Sequence, residues 1–164
     1  MTYAKHFALV DDVASHFDAA VTGLDPFTVT RYAGLYAVSS AAVLELALKE
    51  IVIEFAKSRD AVFGEYIAAK YEFINGRIKL AHIKQDHLEP FGKSYLRRFD
   101  GLVKWLDAYG VKRRRGSLIS AYGNLLTCRH KFAHEGVTTC TYDEVKAGFE
   151  AGKRIMACLQ RALT

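Results

Sequence analysis

Between Thr141 and Leu163, the residues Val145, Phe149, Gly152, Met156, Leu159 and Leu163 follow one another at steps of four, three, four, three and four. An α-helix, at 3.6 residues per turn, gathers such a series onto one face. Thr141 and Glu144 stand ahead of it at capping-box spacing, which marks its start. A helix with one apolar stripe must bury that stripe against other helices.

The rest of the chain supplies them. Tyr3, Phe7, Val10, Phe17, Val21 and Leu24 track the face of a first helix that runs to about Val21, where Gly23 breaks it. Asp25-Pro26 is an N-cap followed by a first-turn proline, and the helix it opens runs to about Arg59. Its middle, Ala41 to Leu48, is apolar around most of its circumference, as expected for a central helix, and Glu45 is the exception. Asp60 caps a third helix that stops at Asn75-Gly76. Residues 77–90 fit no single pattern. From Pro90 onward helical spacing returns and Gly110 is the expected end; Ser117 then caps a helix that stops at Gly136. No segment reads as a strand and no repeat is present. The expected fold is all-α: one domain over 1–164, an antiparallel bundle of five or six helices joined by short loops.

With 164 residues, 51% of them apolar, the chain can bury a core without metal or disulfide staples. Its three cysteines, Cys128, Cys140 and Cys158, contain no C-x-x-C pair, so neither a disulfide framework nor a cysteine-rich zinc site is expected, and a reducing cytoplasm is the simplest setting. The first residues do not resemble a signal peptide. The most apolar stretch, 33–55, is broken by Glu45, Lys49, Glu50 and Glu54, which argues against a membrane span. A net charge of +5 permits a polyanionic partner without requiring one.

The octet Arg129-His130-Lys131-Phe132-Ala133-His134-Glu135-Gly136 concentrates the chemistry. Arg129 follows Leu125 and Leu126 by four and three residues, so its guanidinium points inward or toward an interface, where a charge needs an anion. His130 and His134 share a helix face, whereas Arg129 and His134 lie about 140° apart on an ideal helix. The three converge only if the helix frays at Gly136 or a second subunit supplies the missing group. The two histidines are also spaced as metal ligands, with Cys128, Glu135 or Cys140 as a third, and Arg129 could simply cap the helix end, but no spacing compels either. Lys112-Arg113-Arg114-Arg115 reads as a solvated basic loop, with an RNA-backbone clamp as its functional alternative. Glu45 reads as a carboxylate at a helix edge, or else as a buried partner that orients Arg129. Arg77, His82 and His87 read as decoration of an exposed helix or loop.

The octet resembles the signature of the HEPN superfamily, helical domains whose motif is an Arg, four to six residues and a His, with a polar residue after the Arg. Arg129, His130 and His134 match those positions, ahead of the final helix as in the family. Arg77 and His82 repeat the bare spacing, but without the polar second residue, the glycine stop or the position before the last helix. The resemblance implies RNA cleavage without metal or cofactor, at a composite site in a homodimer. His134 would transfer protons, Arg129 would bind phosphate and stabilise the transition state, and His130 would support the site or make a second proton transfer, with Lys131 and the 112–115 run as auxiliary RNA contacts. It also implies a toxin or phage-defence role restrained by an antitoxin or regulatory protein. The alternative is a catalytically silent module that binds RNA, nucleotide or protein.

Overall fold

A computed structural model describes the backbone from residue 2 and the side chains from residue 3; Met1, included in the 1–164 domain reading, lies outside the described residues. Every regular element among the described residues is helical. The α-helices are α1 (Lys5–Ala20), α2 (Pro26–Arg59), α3 (Ala61–Glu72), the single turn α4 (Leu80–His82), α5 (Lys93–Lys112), α6 (Leu118–Glu135) and α7 (Tyr142–Leu163). Seven α-helical segments therefore replace the five or six expected, the extra one being α4 in the stretch without a clear pattern. It continues into a π turn (Ile83–Leu88) and a 3-10 turn (Glu89–Phe91).

Local hydrogen bonds account for the boundaries. The Asp25 carboxylate accepts from the N–H groups of Phe27 and Thr28, Asp60 accepts from Phe63, Ser117 from Ser120, and Thr141 and Glu144 form the full capping box. Three boundaries differ from expectation, the first being that the third helix stops at Glu72, short of Asn75-Gly76. The fifth helix begins at Lys93 rather than Pro90, because Gly92 interrupts the chain at φ +126°. It also runs through Gly110 to Lys112, and the chain reverses at Arg114 (φ +55°) and Gly116. Gly110 is there for space, since a Cβ would stand 3.0 Å from the Gly116 carbonyl oxygen.

The centre of the molecule is a parallel pair, α2 and α7. Tyr36 packs on Tyr142 and Phe149, and farther along Leu44 fills the notch left by Gly152. Around this pair the neighbours run antiparallel. Asp11 and Asp18 of α1 pair with Lys153 and Lys146 of α7, while α3 folds back along α2 with Glu65 beside Lys57 and Asn75 beside Lys49. On α6, Asn124 accepts from the Cys140 thiol and Leu125 with Ala121 abuts Gly148. The antiparallel reading thus holds for α1 with α2, α2 with α3 and α6 with α7, but not for the central pair, nor for α5 and α6, which both run against α7: Arg98 donates to the Ala162 carbonyl and Gly110 shares a cleft with Ala151. Two helices more than 80 residues apart are free of the constraint that a short loop places on most neighbours. No helix among the described residues is long and apolar enough to cross a membrane.

Candidate functional site

The last two turns of α6 are held by three contacts. Leu125, Leu126 and Cys128 are buried in the core, and the Phe132 ring packs on α2 at Gly34, where a Cβ would come within 2.1 Å of the ring. Gly136 then ends the helix at φ +68°, its N–H bonded to the Phe132 carbonyl. With that face committed to packing, Arg129 and Lys131 are half-buried while His130 and His134 stand exposed. The imidazoles of His130 and His134 meet with ring centroids 4.7 Å apart. The helix remains intact to Glu135, so the three groups are not gathered by fraying.

Arg129 and His130 open onto a groove of about 530 Å³. Its floor is α2, through Val38, Ala42 and Leu46, and its far wall is the segment 75–82, which contributes Lys79 and His82. His134 does not line it and reaches it only through its contact with His130. A second groove of about 350 Å³ shares Lys79, Leu126 and His130 with the first, so the two adjoin.

The far wall has little regular structure of its own and is pinned by side chains from elsewhere. The Glu45 carboxylate accepts from the Gly76 N–H (2.7 Å) and Lys49 Nζ donates to Asn75 Oδ1 (3.0 Å). Tyr122 Oη donates to the Ile78 carbonyl (2.6 Å), and His87 Nε2 meets the Arg77 carbonyl (2.9 Å). These contacts correct the reading of 77–87 as surface decoration. His87 is fully buried and His82 is half-buried in the groove; only Arg77, paired with Asp86, has the expected exposure. The reason is that an irregular wall beneath a groove needs polar side chains to satisfy its backbone. His82 has a cost attached, because its Nδ1 is buried with no hydrogen-bond partner among the described residues, a situation worth about 1–3 kcal/mol against folding.

The tautomer of His87 follows from its partners. A carbonyl can only accept, so Nε2 carries the hydrogen and Nδ1 accepts from Tyr71 Oη at 2.7 Å. Burial raises the Tyr71 pKa and keeps that hydroxyl protonated. Burial likewise holds the His87 pKa below its ordinary 6.5, outweighing the Arg77 carbonyl and Asp86, which pull it up. The unfolded chain therefore binds the proton more readily than the folded one, and stability falls as pH drops below about 6.5. We expect the thermal midpoint to fall between pH 7.5 and 5.5, and His87→Gln to flatten this slope; equal slopes for both proteins would reject the assignment.

The remaining candidates lie apart or play other parts. Glu45 lines the groove, but its carboxylate is engaged by Gly76 and by Lys49 (3.4 Å), and no ion pair joins it to Arg129 among the described residues. The basic run is at the other end of α6: Lys112 closes α5, Arg113–Arg115 form the turn, and Leu118 is about 16 Å along the helix from Arg129 by its rise per residue. Of the thiols and carboxylate considered as a third metal ligand, Cys128 is fully buried, Cys140 is turned to the Asn124 carbonyl and Glu135 is exposed. Sequence reading missed Lys79, His82, Tyr122 and the wall they build. The one available signal was the repeated Arg-x4-His spacing at Arg77–His82.

Searches of curated proteins and of solved structures return no match. A family model described as RiboL-PSP-HEPN matches residues 7–164, from the first helix through the last and across every element that forms the groove. The chain belongs to the RiboL-PSP-HEPN family.

Proposed function

We propose that residues 1–164 act as one helical unit with metal-independent endoribonuclease activity, cleaving RNA at a composite site between two copies of the chain. The observation that carries this reading is the continuity of Arg129, His130 and His134: a guanidinium and an imidazole on one groove, and a second imidazole in contact with the first. Transphosphorylation asks for little more. One histidine takes the proton of a ribose 2′-hydroxyl, whose oxygen forms a bond to the adjacent phosphorus. The P–O5′ bond breaks, and a second histidine gives its proton to the departing oxygen. Arg129 holds two phosphate oxygens through its forked donors while negative charge builds on them. The products are a 2′,3′-cyclic phosphate and a free 5′-hydroxyl. His134 is exposed and offset from the groove, which suits a group presented to the site of a second copy.

An unregulated RNase injures the cell that makes it, so we place the protein in the cytoplasm as a toxin or phage-defence effector held by an antitoxin or regulatory protein. The test is incubation with total RNA, with and without EDTA. Cleavage that survives chelation and leaves cyclic phosphate ends is the expected result. RNA left whole at every protein concentration would favour a silent binding module instead.

A further inference from the structure

The motif occupies only one wall of the groove. The opposite wall presents Lys79 and His82 from a segment distant in sequence, and between the walls lie Glu45 and Lys49. The charges do not cancel. Glu45 and Lys49 neutralise each other and are tied to Gly76 and Asn75, so the groove is left with Lys79 and Arg129, one cation on each side. Lys79 is exposed and, with His130, also lines the adjoining groove, so a cation and an imidazole stand on the border of two neighbouring grooves.

His82 adds an independent observation. Its Nδ1 is sealed from solvent without a partner, although an apolar side chain would fill the same space without an orphaned nitrogen. Only Nε2 is left as a polar atom that could meet something in the groove. A polar group kept at a cost to stability, on a wall facing Arg129, is characteristic of ligand contact rather than of packing.

We propose that Lys79 and His82 are RNA-contacting residues, which hold the phosphodiester backbone of a single strand against the wall opposite Arg129 and His130. The idea rests on the ribonuclease reading for the identity of the ligand, but it concerns binding and not the chemical step. On this view the Arg77–His82 repeat of the motif spacing is no second catalytic centre; it brings a histidine to the other side of the same groove.

The test uses a probe that cannot be cleaved, a fluorescein-labelled octamer of 2′-O-methyluridine, with binding followed by anisotropy over a range of salt. Lys79→Ala and His82→Ala should each weaken binding about 5- to 10-fold, and Lys79→Ala should reduce the slope of log affinity against log salt by about 0.7, the value for one phosphate contact on a single strand. Lys104→Ala, an exposed lysine on α5 whose side chain is 73% accessible, should bind as the wild type does. Because the Lys79 side chain is exposed, its variant reports on contact even where His82→Ala perturbs folding. Unchanged affinity and slope in Lys79→Ala, or no binding by the wild type, would overturn the proposal. The two readings fail separately: a wild type that binds the probe through Lys79 but leaves RNA uncut sinks the nuclease reading alone. Cleavage of RNA with wild-type binding in both variants sinks this one alone.

Discussion

Arg129→Ala and His134→Ala are each expected to slow RNA cleavage by at least about 100-fold, the range seen when a charge-stabilising donor or a general acid–base group is removed from an active site. The fold should survive both changes. His134 is exposed and its ring contact is with His130, so its removal should shift stability by no more than about 0.5 kcal/mol, as for other surface substitutions. Arg129 is half-buried, and its loss should be felt mainly through the stem packed along the groove. Far-ultraviolet dichroism and thermal midpoints of the purified variants check this directly.

Mixing the two inactive variants asks whether the site is shared. Where each site takes Arg129 from one copy and His134 from the other, a mixed dimer has one site with both groups intact. Random assortment makes half of the dimers mixed, so about a quarter of wild-type activity should return. No recovery, with exchange of subunits demonstrated, would mean that both groups act from the same chain.

Gly148→Ala should lower stability by about 2 kcal/mol, with a midpoint about 5 °C lower for a chain of this length. The added Cβ would stand 2.7 Å from Leu125 Cβ and 2.8 Å from the Ala121 carbonyl oxygen. The second of these is backbone, so α6 itself has to move away from α7, and it cannot do so without disturbing the Leu125 and Leu126 packing beneath the motif. Helix propensity acts in the opposite direction by up to about 1 kcal/mol. Gly101→Ala isolates that opposing effect: Gly101 lies inside α5 with nothing within 4 Å of its Cβ position, and its replacement should raise the midpoint. A Gly148→Ala protein as stable as the wild type would mean that α6 and α7 are not locked at this crossing.

The starts of α2, α3, α6 and α7 and the end of α6 were legible because each depends on atoms a few residues apart. Asp25 reaches Thr28, Ser117 reaches Ser120, Thr141 and Glu144 reach each other, and Gly136 takes the left-handed turn itself. The octet was legible for the same reason, since the shared face of His130 and His134 is a matter of helical pitch alone. Glu45 shows the limit. Its oddity among apolar neighbours was plain, yet its partner is the Gly76 N–H, 31 residues away, and not Arg129.

The residues alone therefore determined that the chain is helical, where the side-chain-capped helices α2, α3, α6 and α7 start, and which turn of which helix carries the arginine and the histidines. The tertiary structure decided that α2 and α7 run parallel, that His87 is buried, and that Lys79 and His82 stand across a groove from Arg129. Those outcomes depend on contacts such as Tyr122 to Ile78, 44 residues apart, which exist only once helices have chosen their neighbours. A periodic pattern tells which face of a helix is buried, but it carries no information about what that face is buried against.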